Sequence, residues 1–171
     1  MKKWTTGTFG LLIVIGAVYY LFPEERLSTG QKIDKIIVKK SERRMEVYSG
    51  GQLIKSYRIS LGRAPKGDKE FEGDKRTPEG HYTINDKNPN SAYHKNLGVS
   101  YPNGGDIEDA RKRNLNPGGD IKIHGIRNGL GFIGKFQRMW DWTAGCIALT
   151  NDEMDELYAR VDIGTPITIE P

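Results

Sequence analysis

The chain has 171 residues, enough for one domain with a core and too few for two. Its 36% hydrophobic and 28% charged residues, with 21 glycines, describe a folded protein of short strands and many turns rather than a helical bundle. The 26 Lys plus Arg against 22 Asp plus Glu leave a net charge of +4 spread along the chain, with no basic face and no binding motif, which argues against a nucleic-acid partner.

The first element is apolar. After Lys2 and Lys3 the run from Phe9 to Phe22 carries no charge, and Trp4 to Gly7 extend it towards the roughly 20 residues that a membrane-crossing helix needs. "FPEER" offers no small-x-small cleavage pattern, so residues 1–22 read as an uncleaved signal anchor, one N-terminal transmembrane helix, in preference to a cleaved signal peptide. The two lysines keep the N-terminus in the cytoplasm and send the remainder across the membrane. Residues 23–32 are polar and read as a linker, and residues 33–171 as one mainly β domain with a few short helices.

Within that domain a strand is expected at Ile36 to Lys39, then a hairpin in which "SGG" turns "RMEVY" into "QLIKSYRIS". Arg63 to Gly73 is an exposed loop. Strands follow at Gly80 to Asn85, around Leu97 to Asn103, and at "DIKIHG", with a short helix in "GDIEDARKRNL". "GCIAL" reads as a buried strand, "TNDEMDELYARV" as a helix capped by Thr150 or Asn151, and "TPITIE" as the last strand.

Cys146 is the one cysteine, so it has no disulfide partner within the chain and is either inert or reactive. A thiol needs a base, because near neutral pH only a few per cent of a free cysteine is thiolate. Of His81, His94 and His124, the last is best placed, ending a strand 146 − 124 = 22 residues before the cysteine. Gly145 removes bulk beside the sulfur, so that backbone N–H groups around Gly145 and Cys146 are candidates to hold a developing oxyanion. No metal-ligand cluster such as HExxH occurs, so no metal or organic cofactor is expected.

"RTPEGHYTI", "IKIHG" and "TAGCIALTNDEMDELY", in that order, resemble the signature stretches of the YkuD-type L,D-transpeptidase domain. The resemblance covers roughly Ile33 to Glu170. It implies a β-sandwich with the cysteine in a cleft, Cys146 as nucleophile, His124 as general base, and Gly125 supplying the carbonyl that orients the imidazole. Thr143 and Asn151 match further motif positions. Ala144 and Ala148 depart from the pattern, which commonly has a second histidine at the first and an arginine or asparagine at the second. The segment from Ile126 to Trp142 reads as a lid or as core packing. Its Trp142, Arg127, Lys135 and Arg138, with Thr143, are candidate contacts for an acidic stem peptide.

The resemblance implies a bacterial cell-envelope enzyme in the periplasm or extracytoplasmic space. Cys146 would take an acyl group from the third residue of a peptidoglycan tetrapeptide stem and pass it to an amine, on a second stem or a wall-anchored protein, in wall crosslinking or remodelling. A hydrolase using the same pair, or a wall-binding module without catalysis, are the alternatives. A sortase-like enzyme would show an essential arginine after the cysteine strand, where this chain has "NDEMDELYAR".

Overall fold

A computed structural model describes residues 3–28 and 30–171 of the chain, without the side chains of residues 3–7 and 9. Eight strands form one curled sheet: β1 (Lys35–Lys39), β2 (Arg44–Ser49), β3 (Gln52–Arg58), β4 (Gly80–Ser91), β5 (His94–Val99), β6 (Lys122–His124), β7 (Ile147–Ala148) and β8 (Pro166–Glu170). Their order is β3-β2-β1-β8-β4-β5-β6-β7.

Strand alternation explains the first end. Ile36, Val38, Met45 and Val47 point inward and are fully buried, while Lys35, Lys39 and Arg44, which flank them, stay exposed or half-exposed. The β2–β3 turn works because Gly50 and Gly51 both hold positive φ, 57° and 78°, the conformation a two-residue hairpin loop requires. β4 makes the curl. Its residues Gly80 to Thr83 pair with β8, and from Ile84 onward it pairs with β5 across two register shifts. The expected sandwich is therefore two ends of a single sheet around one core.

The edges meet as well. Beyond β3, Ser60 exchanges two backbone hydrogen bonds with Ala148, at 3.0 and 2.8 Å, and Gly62 bridges to Thr143. This closure ties the cysteine strand to the opposite end of the sheet and leaves little open edge. Helix α2 (Gly104–Lys112) follows β5, and helix α3 (Asn151–Arg160) lies against β5, with Met154 and Leu157 completing the core. It starts on a capping box between Thr150 and Glu153, so the chain after Cys146 has a fixed exit.

Three segments differ from the sequence reading. β4 continues to Ser91, although "DKNPNS" has a loop composition, because β5 supplies a partner along its whole second half. Residues 126–142 contain a 3-10 segment, Gly131–Met139, kinked where Gly134 has φ 49°; it is called the strap below. The expected linker is docked: Leu27 is buried, and its N–H donates to Glu156 Oε1.

The N-terminal helix α1 spans Lys3–Leu21. Among the described residues no helix is long and apolar enough to cross a membrane, so the structure does not supply the expected single-pass span over residues 1–22. The uninterrupted apolar run from Phe9 to Phe22 rises about 21 Å as a helix, short of a hydrocarbon core of about 30 Å. Met1 and Lys2 lie outside the described residues.

Candidate active site

The cysteine loop is built from beneath. Thr143 N–H donates to Leu61 O and Arg63 N–H to Thr143 O, both at 3.1 Å, fixing the start of the loop to the extension of β3. The Thr143 hydroxyl then donates to Cys146 O (2.7 Å) and accepts from Gly145 N–H (3.1 Å), closing the turn on itself. Gly145 has φ 136°, and a Cβ there would stand 2.7 Å from Arg76 O, so glycine is required twice over. The carbonyl it nearly touches belongs to "RTPEG". Thr77, fully buried, accepts from Gly62 N–H, and the buried Lys40 ammonium donates to Thr77 O (2.7 Å), Gly67 O (2.7 Å) and Glu79 Oε1 (2.8 Å). A stretch that reads alone as a turn is the floor of the cysteine loop.

His124 ends β6, next to the cysteine strand. Its register partner on β7 is Ala148, which puts Cys146 two residues earlier on the same face of the sheet. Ideal strand spacing separates the two Cα atoms by about 8 Å, a span that side chains can bridge. The imidazole Nδ1 lies 2.7 Å from Gly125 O. A carbonyl only accepts, so Nδ1 carries the hydrogen and Nε2 of the neutral ring is left as the acceptor. Gly125 is confined too: a Cβ there would meet Asn151 Oδ1 at 2.8 Å and His94 Cβ at 2.9 Å. Asn151 Oδ1 accepts from Ile126 N–H at 2.8 Å and so holds the chain just past the histidine.

Electrostatics favour an uncharged pair at rest. Burial pushes the Cys146 thiol above its ordinary value, against a hydrogen bond from the Lys122 backbone. Burial also pushes His124 below its ordinary value, the Lys122 charge acting the same way and the Gly125 bond opposing both. Both shifts favour the neutral forms, the thiol and the uncharged imidazole. Aromatic rings shield the histidine, with Tyr93 4.8 Å and Trp142 5.5 Å from the imidazole centroid. Trp142 Nε1–H donates to Gln137 Oε1 (2.9 Å), and Gln137 O accepts from Ser60 (2.8 Å), so the strap braces one wall of the site.

Several sequence-level assignments change. The Gly145 N–H is spent on Thr143 and is not an oxyanion donor in this geometry. Thr143 is buried and engaged within its own loop, so it shapes the turn rather than contacting substrate. Arg138 lies between Glu24 (2.9 Å) and Glu153 (2.6 Å) with its side chain 5% exposed, so its charge is already balanced inside the protein. Lys135 reaches Glu24 and the carbonyls of Tyr19 and Phe22. Arg127 is exposed. Of the lid aromatics, Trp142 borders the imidazole, Phe136 stacks on Tyr20 of α1, and Phe132 and Trp140 are exposed. Tyr93, Asn96 and Gln137 escaped the sequence reading, because each owes its place to strand register or to the strap's path.

Comparison with known proteins converges on one family. The profile of the YkuD family, described as the L,D-transpeptidase catalytic domain, matches residues 33–169. YafK of Escherichia coli strain K12 is 29% identical over 128 residues, covering 71% of this chain and 44% of that protein. Among solved structures, the helical cell shape determining protein Pgp2 from Campylobacter jejuni superposes with a TM-score of 0.61 at 26% identity, over 82% of this chain and 48% of that one. Bd1075 of Bdellovibrio bacteriovorus gives 0.56 at 25% identity, over 85% and 50%. The chain thus spans about half, or less, of the length of these relatives.

Proposed function

Since the chain belongs to the L,D-transpeptidase catalytic-domain family, we propose that it is a peptidoglycan L,D-transpeptidase working through Cys146 and His124. The observation that carries this reading is the His124 Nδ1 to Gly125 O bond, which leaves Nε2 as the proton acceptor on a strand paired with the one that Cys146 precedes. The Sγ proton passes to Nε2 as sulfur attacks the carbonyl of the third residue of a tetrapeptide stem. The tetrahedral intermediate collapses, the imidazolium returns its proton to the departing D-alanine amine, and a thioester remains. An acceptor amine, on a second stem or on a wall-anchored protein, gives a proton to Nε2 and attacks the thioester, which releases the product and restores the thiol. Neither step requires a cofactor.

The same reading places the domain in the bacterial cell envelope, on the extracytoplasmic side, attached to the membrane through α1. Support comes from the charge-free stretch before Pro23 and from the exposure of Leu11, Leu12, Ile13, Val14 and Val18 on several faces of that helix. A role in cell shape is part of the proposal, given the name that Pgp2 carries.

The decisive assay gives the purified chain a tetrapeptide stem with and without an added D-amino acid. Release of D-alanine together with an L,D-crosslink or amino-acid exchange is the expected result. Tripeptide as the sole product, whatever amine is present, would establish a hydrolase instead. An inert protein whose Cys146 resists acylation by a carbapenem would be a wall-binding module.

A further inference from the structure

Asn96 is a buried carboxamide that the chemistry above leaves unused. It sits on β5 directly across from His124 on β6. Gly125 N–H donates to Lys95 O and Val99 N–H to Ile121 O, so those two pairs are hydrogen-bonded. The antiparallel alternation makes Asn96 and His124 a non-hydrogen-bonded pair, the kind whose side chains stand closest, with Cα atoms about 4.5 Å apart. Both side chains leave the same face, the one that carries Cys146. Asn96 is 3% exposed, and its Oδ1 is buried without a hydrogen-bond partner. On the other flank of the histidine, Ala148 is fully buried and presents only a methyl group.

We propose that Asn96 is a positioning residue for the base: its side-chain carbonyl, unspent while the site is neutral, stabilises the imidazolium that His124 becomes on taking the Cys146 proton. This rests on the proposed acyl transfer only in naming His124 as the base. The proton leaves Sγ and arrives on Nε2, Nδ1–H stays on Gly125 O, and the new charge forms directly across the strand pair from the Asn96 carboxamide. A dipole already in place needs no reorganisation as the charge appears, and an interaction stronger in the charged form than at rest lowers the barrier. The titratable groups around the ring are Lys122 on its own strand, Tyr93 from the β4–β5 turn and Cys146 from the loop before β7. None is a carboxylate, and the nearby Asp120 pairs with Lys122 at 2.8 Å. An acceptor left bare in the interior destabilises a fold, which is a cost that a purely structural position would shed by carrying leucine.

The test is an NMR titration of the imidazole Cε1–H signals in the full chain, in detergent micelles, for the parent, Asn96→Leu and Asn96→Asp. His81 and His94 serve as internal controls. The His124 pKa is expected to fall by about half to one unit in Asn96→Leu and to rise in the near-isosteric Asn96→Asp, with the controls unmoved. Alkylation of Cys146 by iodoacetamide at neutral pH should drop several-fold in the leucine variant while its Tm stays level or rises. A His124 titration indifferent to both substitutions overturns the proposal, as does a leucine variant that loses Tm and keeps its titration. A parent that fails to turn over stem peptides counts against the acyl-transfer reading alone, since the titration needs no substrate.

Discussion

The two ends of the sheet obey different rules. At the β1–β3 end, strands of 5, 6 and 7 residues bury one face, and the charges on the other pair in partial contact with water, as Lys39 and Arg44 do with Glu46 at 3.1 and 2.9 Å. At the β5–β7 end the strands shrink to 6, 3 and 2 residues, and the outer face is enclosed over His124, Asn96 and Ala148. At the first end the buried charges are paired, Glu46 with Lys39 and Arg44, and Lys40 with Glu79. The other buries polar groups, one of them without a partner, and holds its histidine neutral. The contrast separates what keeps the chain folded from what lets it react.

Substitutions break the contrast most sharply at the reacting atoms. Cys146→Ala should abolish thioester formation, read as loss of the carbapenem adduct by mass spectrometry, while Tm moves little because the half-buried side chain loses a single sulfur atom. His124→Ala should cut acylation by about a hundredfold to ten-thousandfold, with His81→Ala near parent rates. At the other end, Ile36→Ala should leave kcat/KM of the folded fraction unchanged. Denaturant unfolding should show a loss of about 2–5 kcal/mol, as for other large-to-small changes at fully buried sites. A large kinetic effect of Ile36→Ala, or a large stability effect of Cys146→Ala, would show that the two ends are not independent.

The same division governs what could be read from the sequence. The hairpin at Gly50 and Gly51, the strand with Ile36 and Val38, and helix α3 with its Thr150 cap follow from alternation, turn chemistry and capping, all local signals. The proposed pair, Cys146 and His124, stands out in the sequence by residue type and by motif, and the β6–β7 register brings their strands together. Asn96 does not, because only the β5–β6 register puts it beside His124. Arg138 misled for a related reason: an arginine in a candidate lid looks available until the strap carries it between Glu24 and Glu153. The Gly145 amide misled because a threonine two residues earlier captures it. Long-range placement decides each of these cases, and no local pattern encodes it.

A pH series sharpens the comparison, since burial shifts His124 and Cys146 in opposite directions. His124 titrates below its ordinary 6.5 in the folded protein, so it contributes stability that is present above that value and is lost as pH falls through the folded pKa. Cys146 titrates above its ordinary 9.0, so its contribution is present below that value and is lost as pH rises through the folded pKa. Stability is therefore expected to plateau between these limits, with His124→Gln weakening the acid-side decline and Cys146→Ala the alkaline one. Iodoacetamide labelling in the parent should increase only above the usual thiol range. Fast labelling at neutral pH would instead indicate a resting ion pair and contradict the neutral site.

The smallest expected effect lies at the strap, where the two regimes meet. Trp142→Phe keeps an aromatic ring near His124 and removes one bond, Nε1–H to Gln137 Oε1. Gln137 is 2% exposed and its Nε2 is already unpaired, so the substitution leaves a second atom of the same amide short of a partner. That costs about 1 kcal/mol if the strap relaxes to admit water. Because this substitution reaches the base through packing alone, acylation should slow about fivefold or less, mainly in kcat, with the pH profile unshifted. A shifted acid limb in Trp142→Phe would mean that the indole acts on the charge of His124 rather than on its packing, and the electrostatic role given to Asn96 would then be shared with the strap.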